Sequence, residues 1–550
     1  MSTIDDGISV NPSNNQHFTD LLNTRVSRRS MLGGTAGASA LGLLGTGGVA
    51  TLVSACAPET PVTPGPALLG FTAIPPSSTD QVVVPDGYTA EVLIAWGDPV
   101  SNGPAFLPDA SNSAADQAQQ WGMHNDGLVF FPLTGSRRGL IVQNHEYTDD
   151  YLLFPDGAAN WNAEKTAKSQ AAHGVGIIEV RKVGGTWQVV RPSPYARRIT
   201  ANTPMTITGP AAGHALLQTA ADPTGTAVLG TINNCAMGFT PWGTYLTCEE
   251  NFNGYFRKTS ATNSLEKRYG IGSSASYLWH TTDSRFDVDA TPNEPNRFGW
   301  VGEIDPFDPT STPAKRTALG RIKHEGAWVE ETADGRVVVY LGDDQTNEYI
   351  YRYVSNAPWQ QTIDAGGSPL DDGVLYVAKF NADGSGSWLP LTTANPALSG
   401  FATQADILIN TRAAADAAGA TKMDRPEWID VLRSKKEVYV TLTNNSGRGN
   451  GTNPPVDAAN PRASNVYGHI VRWRYAGDFS DPTFTWDIFA LAGDPATPAH
   501  GSEVHLWSRS GLLIVRVGAR DRGGGGRSSA TLGRRGTLGG AQMPGMGNTS

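Results

Sequence analysis

Residues 337–344 read VVVYLGDD and residues 349–354 read YIYRYV, two runs of β-branched and aromatic residues separated by a short polar stretch. Runs of this kind, bounded by Asp, Gly, Asn and Pro, are typical of β-strands joined by turns. Similar runs recur from residue 139 to residue 491, whereas convincing amphipathic helices are few, the clearest lying near residues 405–418. The pattern predicts an all-β chain.

The predicted strands are too numerous for one β-sandwich. They are GLIVQNHEY (139–147), GVGIIEVRK (174–182), TWQVV (186–190), SYLWHTT (276–282), WVGEIDP (300–306), VVVYLGDD (337–344), YIYRYV (349–354), VLYVAKFN (374–381), EVYVTLTNN (437–445), HIVRWRY (469–475) and FTWDIFAL (484–491). A β-propeller accommodates many short strands by radial repetition, although no repeat of fixed period is detectable here. We expect a six-bladed-like propeller with long loop insertions over residues 80–502, with two packed sandwich domains as the alternative.

The N-terminus carries an export signal. Residues 27–32, SRRSML, precede a weakly apolar stretch rich in Gly and Ala that ends at Val53. This order predicts a twin-arginine signal over residues 1–56, addressed to the twin-arginine translocase and therefore to the periplasm or cell surface. Twin-arginine export usually carries proteins that are already folded. A transmembrane anchor is the alternative, but the stretch is less apolar than membrane spans usually are.

The end of the signal has two interpretations. Small residues before Cys56 predict a lipoprotein processing site and a lipid anchor on that cysteine, whereas Ala55 and Ala57 fit ordinary signal cleavage. Residues 57–79 are rich in Pro, Thr and Ala, which indicates an extended linker. The full chain has a formal charge of −10, which argues against nucleic acid as its partner.

Only two cysteines follow the signal and linker, Cys235 and Cys248, so the fold does not depend on a disulfide framework. The two cysteines could still pair with each other or lie buried as small apolar residues. Residues 233–256, NNCAMGFTPWGTYLTCEENFNGYF, also bring Cys235 near the acidic pair Glu249 and Glu250. Because carboxylates suit calcium and sulfur suits softer metals, this mixture predicts a site for more than one kind of metal.

Further acids stand at the ends of predicted strands, where a propeller would collect ligands around its axis. The candidates are Asp126 in HNDG, Glu146 in NHE, Glu325 in KHEG, and Asp343 and Asp344 in GDD. Each is also an ordinary turn residue when taken singly. In DRPEW (424–428), Pro426 fixes the backbone between Arg425 and Glu427, so Arg425 could bind phosphate while Glu427 reaches a metal, or the two could form a surface ion pair.

An ordered set of motifs spans residues 80–495: GMHNDGLVFFP, LIVQNHEYTD, GPAAGH, NNCAMGFTPWGTYLTCEENFNGYF, RFGWVGEIDPFDP, RIKHEGAWVE, GDDQTNEYIYRYV, DRPEWIDV and NVYGHIVRWRY. This set resembles the PhoX-type alkaline phosphatases. The resemblance implies a propeller phosphatase whose active site holds Fe³⁺ and Ca²⁺ and acts on phosphate-ester small molecules.

The resemblance also implies roles for individual residues. Cys235 matches an iron ligand of the family, and Arg425 matches an arginine that contacts phosphate. The acids Glu249, Glu250 and Glu427 match metal ligands, Glu427 beside Arg425 in the catalytic group. Asp126, Glu146, Glu325, Asp343 and Asp344 fall in family motifs, where they either bind metal or brace the residues that do.

The C-terminal residues 503–550 depart from this pattern. They contain seven arginines and no lysine, with Glu503 and Asp521 as their acids and a run of glycines at residues 523–526. The change in composition indicates a disordered or frame-shifted tail and a propeller incomplete at its C-terminus, with a natural basic tail as the alternative. Two other functions stay open: a non-catalytic calcium-binding propeller, and a propeller phosphodiesterase or phytase that uses calcium alone.

Overall fold

The computed structural model of the chain describes residues 71–72, 74, 80–493, 504–505 and 528–530. The predicted export signal with Cys56, and most of the predicted linker and tail, lie outside these residues and stay predictions. Of the described residues, those up to Val92 and Ser528–Ala530 belong to one compact unit, and those from Leu93 to His505 belong to the other. In the first unit, β1 (Tyr88–Ala90) pairs in parallel with Ser528–Ala530.

The second unit begins with an antiparallel meander, β2-β3-β4-β5, and β6 pairs with the first half of β4, along the edge whose second half pairs with β5. Its strands are β2 (Asn125–Thr134), β3 (Arg138–His145), β4 (Gly174–Val183), β5 (Thr186–Val189) and β6 (Arg197–Ile199). Valine and isoleucine side chains from β3 and β4 are buried, including Val142, Val175 and Ile177 at 0% exposure, so a packed apolar layer fixes this sheet.

The next sheet has six strands in the order β8-β7-β12-β11-β10-β9. Its strands are β7 (Pro204–Thr208), β8 (Ala227–Leu229), β9 (Asn234–Phe239), β10 (Tyr245–Glu249), β11 (Val301–Ile304) and β12 (Ala314–Arg316). All neighbours are antiparallel except β7 and β12, which run parallel.

The largest sheet contains two four-stranded meanders, β13 to β16 and β18 to β21, which β17 joins edge to edge. Its strands are β13 (His324–Glu331), β14 (Val337–Asp343), β15 (Ile350–Ser355), β16 (Gly373–Phe380), β17 (Ser385–Pro390), β18 (Pro426–Leu432), β19 (Glu437–Leu442), β20 (His469–Arg474), β21 (Thr483–Ala492) and β22 (Val504–His505). The sheet nearly closes, because β13 also lies against β18. Tyr340, Trp388 and Trp473 pack together in the core that it encloses.

The helices are short. The α-helices are α1 (Ala114–Gln117), α2 (Asp150–Leu153), α3 (Ala163–Ala172), α4 (Ser264–Arg268), α5 (Trp359–Asp364), α6 (Gln404–Ile409) and α7 (Thr411–Ala418). Single 3₁₀ turns cover Ala215–Leu217, Phe252–Tyr255, Leu278–Thr281, Ser284–Phe286, Glu294–Arg297, Thr317–Leu319, Pro396–Leu398 and Arg433–Lys435. None of the helices among the described residues combines the length and apolar character needed to span a bilayer.

The predicted all-β, propeller-like fold is confirmed, and α6 and α7 occupy the predicted helical region. One predicted strand is wrong: residues 276–282 contain no strand, and Leu278–Thr281 within them form a 3₁₀ turn. Trp279 in this turn is buried against Tyr255 and Phe286, so its apolar residues fill an aromatic cluster and do not pair in a sheet.

Four strands that each stand at one end of a strand order, β2, β9, β13 and β18, lie side by side in that sequence. We call them the inner strands. Glycine permits their close approach: a Cβ atom on Gly238 of β9 would lie 1.8 Å from the carbonyl oxygen of Ala327 in β13. A Cβ atom on Gly127 of β2 would likewise lie 2.9 Å from the Cβ of Met237 in β9. This packing brings the beginnings of four distant chain segments together.

Candidate metal centre

Each inner strand forms a hairpin with the strand that follows it, and the four hairpins begin in the same way. The pairs at their open ends are Asn125 with His145, Asn234 with Glu249, His324 with Asp343, and Pro426 with Leu442. In every hairpin the register shifts within a few residues of this end, which indicates a β-bulge or a similar irregularity. The four ends therefore share one strand arrangement.

Each hairpin also has the same backbone hydrogen bond just outside its open end. The amide after the second strand donates to the carbonyl before the inner strand: Glu146 to His124 at 3.0 Å, Glu250 to Asn233 at 3.0 Å, Asp344 to Lys323 at 3.0 Å, and Thr443 to Arg425 at 3.2 Å. Three of the acceptor residues, His124, Asn233 and Arg425, have φ of 50°, 50° and 58°. The same local fold thus occurs four times.

Two positions of this local fold carry the candidate ligands. We call the second residue of an inner strand the entry position, and the residue directly after the paired strand the exit position. The entry positions hold Asp126, Cys235, Glu325 and Glu427, and the exit positions hold Glu146, Glu250, Asp344 and Thr443. Seven of these eight residues are sequence-predicted site residues.

Cys235 lies at the centre of the set and is 2% exposed. Its Sγ atom and one carboxylate oxygen each of Asp126 and Glu146 lie within 4.8 Å of one another. A second group with the same spacing joins Cys235 to Glu250 and Glu325. Residues from three hairpins therefore form two adjacent donor groups that share one sulfur atom.

The electrostatics of these groups fit a bound cation. Burial raises the pKa of Cys235 well above its usual value, and Asp126 and Glu146 raise it further. Burial also raises the pKa values of Glu250 and Glu325, each with a contribution from neighbouring carboxylates. In addition, the Oε2 atom of Glu325 is buried without a hydrogen-bond partner among the described residues. A cation bound at this point would offset the repulsion between the carboxylates and would give the unpaired oxygen a partner.

Arg425 adds a cation at the edge of the cluster. Its Nε and Nη2 atoms donate to the two carboxylate oxygens of Asp344 at 2.8 and 2.6 Å, and Nη2 lies 3.5 Å from Oε1 of Glu427. Burial lowers the pKa of Arg425, but these carboxylates outweigh it and raise the pKa overall. The Arg425 side chain is 31% exposed, so a guanidinium oriented by Asp344 remains open to solvent.

Side chains missed in the sequence hold the donors in place. Lys323 Nζ donates to Asn251 Oδ1 at 2.9 Å, and Asn251 Nδ2 donates to Glu250 Oε1 at 2.6 Å. The amide of Asn144 donates to the carbonyl oxygens of Cys235 and Ala236 at 2.7 and 2.9 Å. Lys323 and Asn144 lie within the quoted motifs, each two residues before a predicted ligand, Glu325 and Glu146 respectively, and that position in the sequence was the signal that could have identified them.

Two predicted ligands point away from the centre. Glu249 Oε1 lies 2.7 Å from Lys315 Nζ, and both side chains are at most 1% exposed. Asp343 Oδ2 accepts from Arg412 Nε at 2.8 Å, again between fully buried side chains. Successive residues of a strand face opposite sides, so Glu249 and Asp343 turn outward where Glu250 and Asp344 turn inward. Both have cationic side chains as partners, so we leave them out of the candidate centre.

The two cysteines of the described residues are not bonded to each other and have different surroundings. Both Cys235 and Cys248 are free, so the alternative of a disulfide between them is not realised. Cys248 lies at 0% exposure in the hydrophobic core with Leu246 and Val301, whereas Cys235 belongs to the donor groups. The alternative of a small buried apolar residue therefore describes Cys248.

Comparison with known proteins agrees with this site. Residues 69–509 match the family model described as alkaline phosphatase PhoX. Among solved structures, the chain is similar to Pseudomonas fluorescens PhoX in complex with vanadate, a transition state analogue, with 48% sequence identity and a TM-score of 0.75 over 80% of this chain and 78% of that chain. No curated protein sequence matches the chain significantly. Because the family match spans all four hairpins and most of the chain, the protein belongs to the PhoX alkaline phosphatase family.

Proposed function

We propose that this protein is an exported, metal-dependent phosphatase that hydrolyses phosphate monoesters and releases inorganic phosphate. The observation that carries the proposal is the pair of donor groups that share the buried Cys235. Membership of the PhoX family supports the same activity. The guanidinium of Arg425 lies beside these acids and is partly exposed to solvent, so it can bind an anionic substrate.

We propose that the centre holds Fe³⁺ and Ca²⁺. The Cys235 thiol is the donor that favours a transition metal such as iron, while the carboxylates suit calcium. The residues that would hold these ions are Asp126, Glu146, Cys235, Glu250, Glu325, Asp344 and Glu427. When bound, such cations polarise phosphoryl oxygens and offset the charge that develops on them during transfer to water.

Arg425 would bind and orient the phosphoryl group. Its guanidinium can donate to phosphoryl oxygens through N–H groups that the Asp344 carboxylate leaves unused. Asp344 itself holds the guanidinium plane in one orientation, which lowers the entropy lost when substrate binds. Glu427 approaches the same guanidinium, so the entry position of the fourth hairpin links the cation-binding and phosphate-binding sides.

The two alternatives are less consistent with these residues. A calcium-binding propeller without catalysis has no need of a thiol among carboxylates or of an oriented arginine. A phosphodiesterase or phytase that uses calcium alone also leaves Cys235 without a role. Family membership favours the phosphatase over both.

We further propose export through the twin-arginine translocase to the periplasm or cell surface, with Cys56 as the residue that would carry a lipid anchor. The support is the sequence of residues 1–56 together with the architecture of the centre. Its donors come from four hairpins between residues 125 and 442, so the centre exists only after the chain has folded. Export of a folded protein would preserve metals loaded in the cytoplasm.

The first experiment measures the metal content of the purified mature protein by mass spectrometry and its hydrolysis of p-nitrophenyl phosphate on the same sample. We expect iron and calcium together, with hydrolysis that a calcium chelator abolishes and added calcium restores. Calcium without iron, or iron and calcium without turnover, would contradict the proposal.

Cys235→Ser tests the shared sulfur directly. We expect this variant to lose iron and at least about 100-fold in kcat/KM, because even the loss of a residue that only braces a metal ligand costs about 10- to 100-fold. Cys248→Ala is the matched control, since Cys248 is equally buried but packs in the apolar core. A Cys235→Ser variant with full iron content and full activity would show that the sulfur is not a ligand.

A further inference from the structure

The exit position of the fourth hairpin differs from the other three. Glu146, Glu250 and Asp344 are carboxylates, whereas the fourth residue is Thr443. We propose that Thr443 is a substrate-binding residue whose hydroxyl donates a hydrogen bond to a phosphoryl oxygen beside Arg425. This inference rests on the proposed phosphatase function and adds a contact to its phosphate-binding side.

The backbone places Thr443 in register with the three carboxylates. Its amide donates to the carbonyl of Arg425 at 3.2 Å, the counterpart of the three bonds at 3.0 Å in the other hairpins. Leu442, directly before it, is 2% exposed in the core enclosed by the large sheet. Since neighbouring strand residues face opposite sides, Thr443 faces the side on which Glu250 and Asp344 meet the centre.

The hydroxyl of Thr443 has no partner in the part of the chain that the structure describes. Its Oγ1 atom is shielded from solvent yet makes no hydrogen bond there. Other threonines of this region are paired: Thr441 Oγ1 donates to the carbonyl of Trp428 at 3.2 Å, and Thr247 Oγ1 donates to Asn144 at 2.8 Å. A shielded polar atom without a partner is unfavourable, so this one indicates a ligand that supplies the missing bond.

The chemistry of the fourth hairpin selects an anion as that ligand. Arg425 stands before its inner strand and Thr443 stands after its second strand, so this end offers a cation and a hydroxyl donor beside the Glu427 carboxylate. An ionised carboxylate can only accept hydrogen bonds, whereas a hydroxyl can donate one to a phosphoryl oxygen. The carboxylates at the first three exit positions are therefore suited to binding cations. The hydroxyl at the fourth exit position is suited to binding phosphate.

Thr443→Val, which keeps the shape and removes the hydroxyl, tests the proposal in the metal-loaded protein. We expect kcat/KM to fall and the Kd for inorganic phosphate, measured by titration calorimetry, to rise by about 10- to 100-fold, the usual size for a hydrogen bond to a charged group. Metal content should be unchanged and Tm unchanged or higher. Thr443→Ser should restore most of the lost affinity and activity.

Thr441→Val is the matched control, because Thr441 lies two residues before Thr443 and its hydroxyl is already paired with the carbonyl of Trp428 on β18. An unchanged phosphate Kd in Thr443→Val would overturn the inference. Loss of a metal ion from that variant would also overturn it, since the hydroxyl would then be a cation ligand. Wild-type protein that binds phosphate through Thr443 but hydrolyses no ester would contradict the proposed function and leave this inference supported.

Discussion

Arg425 occupies a backbone conformation that non-glycine residues seldom adopt, with φ of 58°. The preceding residue explains how the fold maintains it. Asp424 is fully buried and accepts hydrogen bonds from Arg448 at 2.8 Å, from Asn445 at 2.9 Å and from Asn465 at 3.0 Å. This network anchors the backbone directly before Arg425, so the guanidinium is positioned from both its backbone and its Asp344 partner.

Arg425→Lys tests whether the planar guanidinium matters beyond its charge. Lysine keeps the positive charge but cannot contact Asp344 and a phosphoryl group through a fixed fork. We expect kcat/KM for p-nitrophenyl phosphate to fall about 100-fold, in the range found when an oriented transition-state donor is removed. Arg433→Lys, at a half-exposed arginine paired with Glu330, is the control. Wild-type kinetics in Arg425→Lys would exclude an oriented guanidinium from the reaction.

Sequence reasoning at the residue scale found most of the site but could not orient neighbouring acids. Cys235 and Glu250 were predictable because a thiol near an acidic pair is an unusual combination of metal donors, and Glu325 because acids recur at the ends of predicted strands; the family resemblance pointed to all three. Glu249 and Asp343 were included because only the strand register decides which of two adjacent acids faces inward. Thr443 was missed because a threonine in the run TLTNN is also an ordinary strand residue.

The hairpins depend on contacts between inner strands that only glycine permits. Gly238→Ala would place a Cβ atom 1.8 Å from the carbonyl oxygen of Ala327, and backbone must move to relieve the clash. We expect the free energy of unfolding to fall by about 1–3 kcal/mol, the usual cost of overpacking, and iron binding to weaken because β9 carries Cys235. Urea unfolding and metal analysis measure the two effects.

Gly400→Ala serves as the control for that substitution. A Cβ atom at Gly400 would meet no other atom within 4 Å, so the change should leave stability nearly unaffected. Equal stability of the two variants would show that β9 and β13 can separate without cost, contrary to the packing described above.

Element type was predictable because β-branched and aromatic runs pack well in sheets, and all but one of the predicted strands are present. The fourfold repeat was not predictable. Its entry positions fall at residues 126, 235, 325 and 427, and the unequal insertions between them remove any fixed period. The four hairpins share their strand register and one backbone hydrogen bond, and neither feature requires a particular pattern of residues in the sequence.

At the scale of the whole molecule, metal removal should make stability depend on pH. Burial and neighbouring carboxylates raise the pKa values of Glu250 and Glu325. The folded state then binds protons more tightly than the unfolded state, so these groups stabilise the metal-free fold at acidic pH. That contribution is lost as pH rises through the raised pKa values. We therefore expect the Tm of chelated protein to fall increasingly below that of metal-loaded protein as pH rises above the usual carboxyl range.

The variant that carries both Glu250→Gln and Glu325→Gln isolates this effect. It should show a weaker dependence of Tm on pH in the metal-free state, because the two titrating groups are gone. Glu331→Gln, at an exposed residue of β13, is the control and should behave like wild type. A chelated wild-type protein with the same Tm as the loaded protein at every pH would contradict the repulsion inferred for the centre.

The equivalence of the four hairpins has an evolutionary consequence. Four copies of one backbone turn present eight side chains, and the identity of each is set by a single codon without any change in the scaffold. A carboxylate, a thiolate and a hydroxyl already occupy corresponding places. Point mutations alone can therefore change the net charge, the metal preference or the anion affinity of such a site. Proteins with the same fold could in this way come to require different ions.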